Sequence, residues 1–425
     1  MPHTVYNDLQ KSDTKIKKTK ILEALESENL SVQFSDALDN EMVLNMGPQH
    51  PATHGVLRLL ISLDGETIMK CIPELGYLHR GYEKLSEACT YHEFIPHTDR
   101  LDYLSPMANN VAYALAVEKL IDLEIPERGK YIRVIIAELA RIQSHLLAVG
   151  ALLMDVGAVT PFLWAIRERE KILDLYDVIC GARFTTSYTR IGGVAQDVSD
   201  EALAGIKNFI DEFEANLGDM RALVERNKIF IIRCENIGYL SKEDCIDLGL
   251  TGPLLRACGI ERDLRRSEPY LVYDKLDFNV PVYTESDCLA RYYVRVDELK
   301  ESVKILKQCV EKIPSGSHNA LQSKKVLPQK ERIYTKMEEL IHDFMIINFG
   351  VNPPVRESYA AIEASKGELG FYMISDGSGH PFRMKIRSPS FSNLQALAPM
   401  MKGCLISDTV VIIGSVDPVM GEADK

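Results

Sequence analysis

The sequence has no two cysteines close enough to grip one metal ion. A thiolate site needs ligands roughly two to four residues apart. The nine cysteines, Cys71, Cys89, Cys180, Cys234, Cys245, Cys258, Cys288, Cys309 and Cys404, come no nearer than the eleven-residue step from Cys234 to Cys245. No iron-sulfur cluster is expected within the chain, and scattered thiols of this kind suit a reducing compartment. Long apolar runs are also missing. The most apolar region, Leu146 to Trp164, is broken by Asp155 and Pro161, short of the roughly 20 residues that span a bilayer, so any membrane association is expected to be peripheral. Positive charge is in deficit: the formal net charge of -12 argues against a nucleic-acid partner, which needs a basic face. The first twenty residues carry five lysines from Lys11 to Lys20 but no arginine, no apolar stretch, and the acids Asp8 and Asp13. This disfavours a transit peptide.

What is present is an ordinary globular composition, 46% hydrophobic and 26% charged over 425 residues, enough for two or three packed subregions. The pattern predicts an α+β fold. Residues 1–40 read as a disordered extension and 41–81 as a β-rich region with a histidine loop. A helical bundle is expected over 82–236, a loop-rich segment with helices over 237–350, and a β-hairpin region with a further strand over 351–425. Val56 to Leu63 and Thr67 to Ile72, joined by Asp64-Gly65-Glu66, form a hairpin. Apolar residues recur at helical spacing over Met107–Ile121, Tyr131–Val149 and Phe162–Cys180. Further helices are expected over Asp297–Lys312 and near Ile333–Phe349. Gly370–Ser375 and Phe382–Arg387 flank a Gly-rich hairpin tip at Asp376–Gly379, and the loop-rich section is rich in arginine (Arg256, Arg262, Arg265, Arg266).

Several residues stand out chemically. Gly47-Pro48-Gln49-His50-Pro51-Ala52-Thr53-His54-Gly55 holds two histidines four apart, but the prolines and glycines make it a turn, so a helical zinc pair is excluded and a rigid loop presenting imidazoles remains. Asp155 interrupts an apolar stretch, where a carboxylate is costly to bury unless paired; a histidine is a natural partner, a cap before Gly157 the plainer alternative. Tyr103 lies just before the break at Ser105-Pro106, and a packed tyrosine whose hydroxyl faces a cavity can donate a proton to a carbonyl. Glu138, Arg141 and His145 share one helix face, a pattern that more often marks a salt-bridged face than a site.

Six ordered strings carry a resemblance: Gly47 to Gly55, Gly76-Tyr77-Leu78-His79-Arg80-Gly81, Asp99-Arg100-Leu101-Asp102-Tyr103, Asp155 to Phe162, Lys366-Gly367-Glu368-Leu369-Gly370 and Asp417-Pro418-Val419-Met420-Gly421. From about Glu41 onward the chain resembles the hydrogenase-derived large quinone-site subunit, the bacterial D type, of the peripheral arm of respiratory complex I, NADH:quinone oxidoreductase. The resemblance implies a fold like the nickel-iron hydrogenase large subunit, whose metal lies between a CxxCxxxH and a DPCxxC. Here those positions hold Asp102, Ser105, Asn109, Val419 and Glu422, none of them a soft ligand, and the seat of the metal is implied to be a quinone cavity.

The resemblance further implies that His54 and Tyr103 hold the quinone headgroup and that Asp155 pairs with His54. Arg100 would lie near an iron-sulfur cluster of a small neighbouring subunit, and Asp417 would belong to the acidic route toward the membrane arm. It implies no cofactor bound by this chain alone. The implied partners are that small iron-sulfur subunit, other peripheral-arm subunits, membrane-arm subunits and the quinone, on the cytoplasmic side of a bacterial inner membrane. The family commonly has two histidines where this chain has Thr185 and Thr186, so a cluster potential independent of pH and a low-potential quinone such as menaquinone are expected. Two other readings compete: a scaffold that keeps the fold without chemistry, and a true hydrogenase, which the ligand positions disfavour.

Overall fold

The structure, a computed structural model, describes residues 42–321 and 323–425; the extension expected over 1–40 lies outside them. An antiparallel sheet opens the described chain, with strands β1 (Met42–Met46), β2 (Arg58–Asp64) and β3 (Thr67–Glu74) in that order. Asp64 pairs with Thr67 across a two-residue turn, and Gly65, at φ +62, supplies the left-handed conformation that turn requires. The edge strand β1 has no counterpart in the sequence pattern. Between β1 and β2 runs the histidine loop.

After the short helices Tyr82–Ala88 and Ile95–Thr98 come four long ones: α1 (Pro106–Ile121), α2 (Glu127–Asp155), α3 (Val159–Cys180) and α4 (Asp200–Val224). Pro106 sits at the start of α1, where its missing N–H is no loss. Helix α2 is the axis of the molecule. By length and composition it could cross a membrane, which corrects the expectation that no segment qualifies: its few charges are dispersed rather than absent, so it contains no uninterrupted run. Yet 89% of its most apolar window is buried inside the fold, and it serves as a core helix. Gly150 is where α3 crosses α2 closely; a Cβ there would lie 3.2 Å from Ala165 Cβ.

Helix α5 (Cys288–Lys312) begins nine residues earlier than expected. Tyr292, Tyr293, Val294 and Val296 favour strand locally, but the Asp287 carboxylate accepts from Ala290 N at 2.7 Å and caps the helix, while Tyr292, Val294 and Val296 are buried against the bundle. The helix expected near Ile333–Phe349 is split into Lys330–Ile333 and α6 (Met337–Phe349). Thr335 turns its hydroxyl back onto Glu331 O, and extended Lys336 breaks the run.

Another three-stranded antiparallel sheet, β4 (Arg356–Ala364), β5 (Gly367–Ser375) and β6 (Arg383–Arg387), packs on α1. Ser358 Oγ donates to Ala116 O at 3.1 Å, and Tyr113 meets Phe371 edge-on. Past this sheet the apolar run Val410–Val416 lies in helix α7 (Thr409–Val416). A short run of Val and Ile is compatible with either state; because α7 packs against α2, α5 and the histidine loop, it has no solvent face to give a helical period.

The face of Glu138, Arg141 and His145 is a buried ionic network. His145 Nε2 lies 2.7 Å from Glu298 Oε2. Arg256 reaches Glu298 at 2.7 Å and Glu363 at 2.8 Å, and Arg265 reaches Asp263 and Glu138. Burial pushes His145 down to about 4 against the pull of Glu298, so at neutral pH it is an uncharged donor. Arg256 and Arg265 are thus core residues and not a basic patch. Removing one partner of such a pair strands the other and costs about 3–5 kcal/mol.

Candidate functional site

The histidine loop contains one 3-10 turn, Pro51–Thr53. His50 Nδ1 accepts from Ala52 N at 3.2 Å and Thr53 Oγ1 donates to His50 O at 2.8 Å, which fixes the turn. His54 then takes the left-handed conformation at φ 51, an uncommon state for a residue with a Cβ, and turns inward while His50 stays exposed. Gly55 lies on the C-terminal segment; a Cβ there would be 3.3 Å from Met420 Cγ.

His54 Nε2 is 2.7 Å from Asp155 Oδ2. Asp155 is the last residue of α2, which stops because Gly157 is left-handed at φ +90 and its N–H folds back to Met154 O. The carboxylate rests directly on α7 at Gly414, where a Cβ would come 2.7 Å from Asp155 Oδ2. Three turns earlier on the same face of α2, Ser144 Oγ accepts from Lys366 Nζ at 2.8 Å. Lys366 stands at the two-residue tip between β4 and β5 and is ion-paired with Asp417. Asp417, just past α7, is buried and also left-handed, at φ 55. Two neighbouring functional candidates in this sparsely populated conformation fit the clustering of backbone strain at working sites.

Burial disfavours charge on His54, but the Asp155 hydrogen bond, the Asp155 charge and the Asp417 charge outweigh it and hold the imidazole above its ordinary value. Tyr103 is half-buried, and its hydroxyl is raised by burial and by the charges of Asp102 and Asp417 against the opposing Arg80. Asp417 therefore acts on both His54 and Tyr103. The shifts favour the charged acid on His54 and the neutral acid on Tyr103.

The hydrogenase-ligand positions have taken other partners. Asp102 accepts from Leu104 N at 3.0 Å and from Ser365 Oγ at 3.3 Å, Asn109 Nδ2 donates to Asp102 O, and Glu422 accepts from Ser390 N at 2.8 Å. Burial and the charge of Asp102 push Glu422 up to about 7. Val419 is packed in the core. Arg100 and Thr185 are exposed. Their two segments are tied together, Asp99 Oδ2 accepting from Ser187 N at 3.0 Å and Ser187 Oγ at 2.6 Å. Thr186 is buried, its hydroxyl 3.2 Å from Met107 Sδ.

Sequence reasoning misses Lys366 as a site residue. A lysine between Ser365 and Gly367 at the tip of a hairpin signals a solvent-exposed turn, and only the packing of the tip brings it to Ser144 and Asp417. Arg295, fully buried and within the field of Asp417, is missed for the same reason.

Comparison with known proteins decides the family. A family model described as the 49 Kd subunit of respiratory-chain NADH dehydrogenase matches residues 155–425. The chain is 54% identical over 419 residues to a D-type subunit of NADH-quinone oxidoreductase from Chloroherpeton thalassium, covering 98% of this chain and 95% of that protein. The chain belongs to the 49 kDa subunit family. The D-type subunit from Salinibacter ruber is 54% identical over 92% of this chain and 87% of its own length, and that from Akkermansia muciniphila is 50% identical over 92% and 94%. Membership in the 49 kDa family accounts for the α+β architecture.

Proposed function

We propose that this chain forms, with a small iron-sulfur subunit, the cavity in which a proton-translocating NADH:quinone oxidoreductase reduces quinone. The observation that carries the reading is the His54–Asp155 pair at 2.7 Å, with Tyr103 and His54 both in the field of Asp417. Reduction of a quinone takes two electrons and two protons, one proton to each carbonyl oxygen. His54, protonated and oriented by Asp155, donates to one oxygen, and the neutral Tyr103 hydroxyl donates to the other. The pair Lys366 and Asp417 lies behind them as the route by which charge is exchanged with the membrane arm.

The large exposed apolar side chains Met154, Val159, Leu163 and Phe184 border Asp155 and Thr185, which supports a partner covering this face. Other peripheral-arm and membrane-arm subunits complete the assembly, within which this chain lies peripherally on the cytoplasmic side of a bacterial inner membrane. With Thr185 at a position that cannot take up a proton, the neighbouring cluster has a potential independent of pH, suited to menaquinone. A redox titration of the assembled complex between pH 6 and 8 gives a flat line; a slope near 59 mV per pH unit, the value for one proton per electron, contradicts it. The test of the reading as a whole is the place where a photoreactive quinone analogue attaches: the peptides carrying His54 or Tyr103.

A further inference from the structure

Two buried arginines one turn apart on α5 converge on the end of α7. Arg291 Nη1 donates to Ser415 Oγ at 3.0 Å, and its Nη2 donates to Gly238 O at 2.6 Å and Ser286 O at 3.1 Å. Arg295 Nη2 donates to Val416 O and its Nη1 to Arg291 O, both at 3.3 Å. Ser415 passes its own proton to Ile412 O at 2.8 Å. A helix leaves its last carbonyls without partners of its own. Here the last turn of α7 is fastened to α5, and the carbonyl that Arg295 holds belongs to the peptide leading into Asp417.

Both guanidiniums are short of a counter-ion. Arg291 is 0% and Arg295 2% exposed. Among the described residues their hydrogen bonds go only to carbonyls, one hydroxyl and one thiol, and the Nε of each is buried without a partner. Burying a cation is unfavourable unless an anion lies near. The acid next along the chain from Val416 is Asp417, whose side chain is ion-paired with Lys366. Burial pulls Arg295 below its ordinary value against the charges of Asp417 and Glu298. Asp417 is thus held through its side chain by Lys366 and through the preceding peptide by Arg295. Its left-handed backbone, at φ 55, is a conformation that persists where the surroundings impose it, and these two holds impose it.

We propose that Arg295 is a positioning residue for quinone reduction: by fastening Val416 O and balancing the carboxylate, it fixes Asp417 where that charge acts on His54 and Tyr103. Arg291, bound to Ser415, secures the same turn. The proposal rests on the quinone-site reading and adds to it a residue that touches neither the quinone nor its two acids.

A double-mutant cycle in the assembled complex, read as quinone turnover and KM, tests this. Arg295→Met keeps the apolar stem and removes the charge and the bond to Val416 O. Turnover falls about tenfold, the scale of a site group displaced by a fraction of an ångström, with KM unchanged. Arg295→Lys, which keeps the charge, recovers most of it. In an Asp417→Asn background Arg295→Met costs nothing further, because residues that act through one another are not additive. An arginine that serves only the fold gives additive losses, and additive losses overturn the proposal, as does full turnover in Arg295→Met. If Arg295→Met does not assemble, Arg295→Gln, which keeps a donor for Val416 O, is carried through the same cycle; failure of both to assemble assigns Arg295 to the fold and overturns the proposal. Unchanged turnover in Asp417→Asn itself removes Asp417 from the quinone-site reading and this proposal with it, whereas a loss there with an additive Arg295→Met overturns this proposal alone.

Discussion

Tyr103→Phe lowers the turnover number for quinone reduction about 100-fold or more while the complex still assembles and NADH is still oxidised with an artificial acceptor upstream. The substitution removes one hydroxyl and keeps the ring. Burial and the charges of Asp102 and Asp417 hold that hydroxyl protonated, so it enters the reaction as an acid, and a positioned general acid contributes about 10²–10⁴-fold. A factor of 100 corresponds to about 2.7 kcal/mol of barrier. Because the ring remains, KM changes little. Unaltered turnover in this variant leaves the scaffold reading in possession of the fold.

Asp155→Asn moves the alkaline limb of the pH–rate profile to lower pH. His54 must carry a proton to donate it. Its elevated value stands against burial by virtue of the Asp155 hydrogen bond, the Asp155 charge and the Asp417 charge; the variant loses the charge-assisted bond and one of the two charges. Activity in the native protein is therefore level at low pH and falls as pH rises through the elevated value, and in the variant it falls earlier. At neutral pH the loss is again about 100-fold or more. The sign for stability is the same. A histidine raised in the folded state adds stability below its unfolded value, and that contribution disappears as pH climbs through the folded one. A profile that keeps its alkaline limb in place in Asp155→Asn assigns the proton to another group.

The histidine loop is legible because its information is local: prolines and glycines forbid a helix, and the structure gives the turn Pro51–Thr53 with His54 left-handed. Asp155 is legible as a misplaced carboxylate, but its partner is not deducible from pattern alone, since His54 and Asp155 are 101 residues apart and only the crossing of the loop over the end of α2 joins them. Helix α7 shows in the sequence only as an apolar run, because a helix surrounded by core on all sides has no polar face to mark a period. The start of α5 is hidden by aromatic and β-branched residues whose local preference is overridden by burial and by the Asp287 cap. Lys366 has the pattern of a surface residue. Its function depends on where a hairpin tip docks, which no period in the sequence records.

The most direct measurement is the attachment site of a photoreactive quinone analogue in the assembled complex, mapped by peptide sequencing with and without excess unlabelled quinone. The account predicts label on the peptide containing His54 or on the one containing Tyr103, displaced by the competitor and lost from neither through mere unfolding, since assembly is checked in the same sample. Competitor-sensitive label confined to other chains, with these two peptides unmodified, contradicts it.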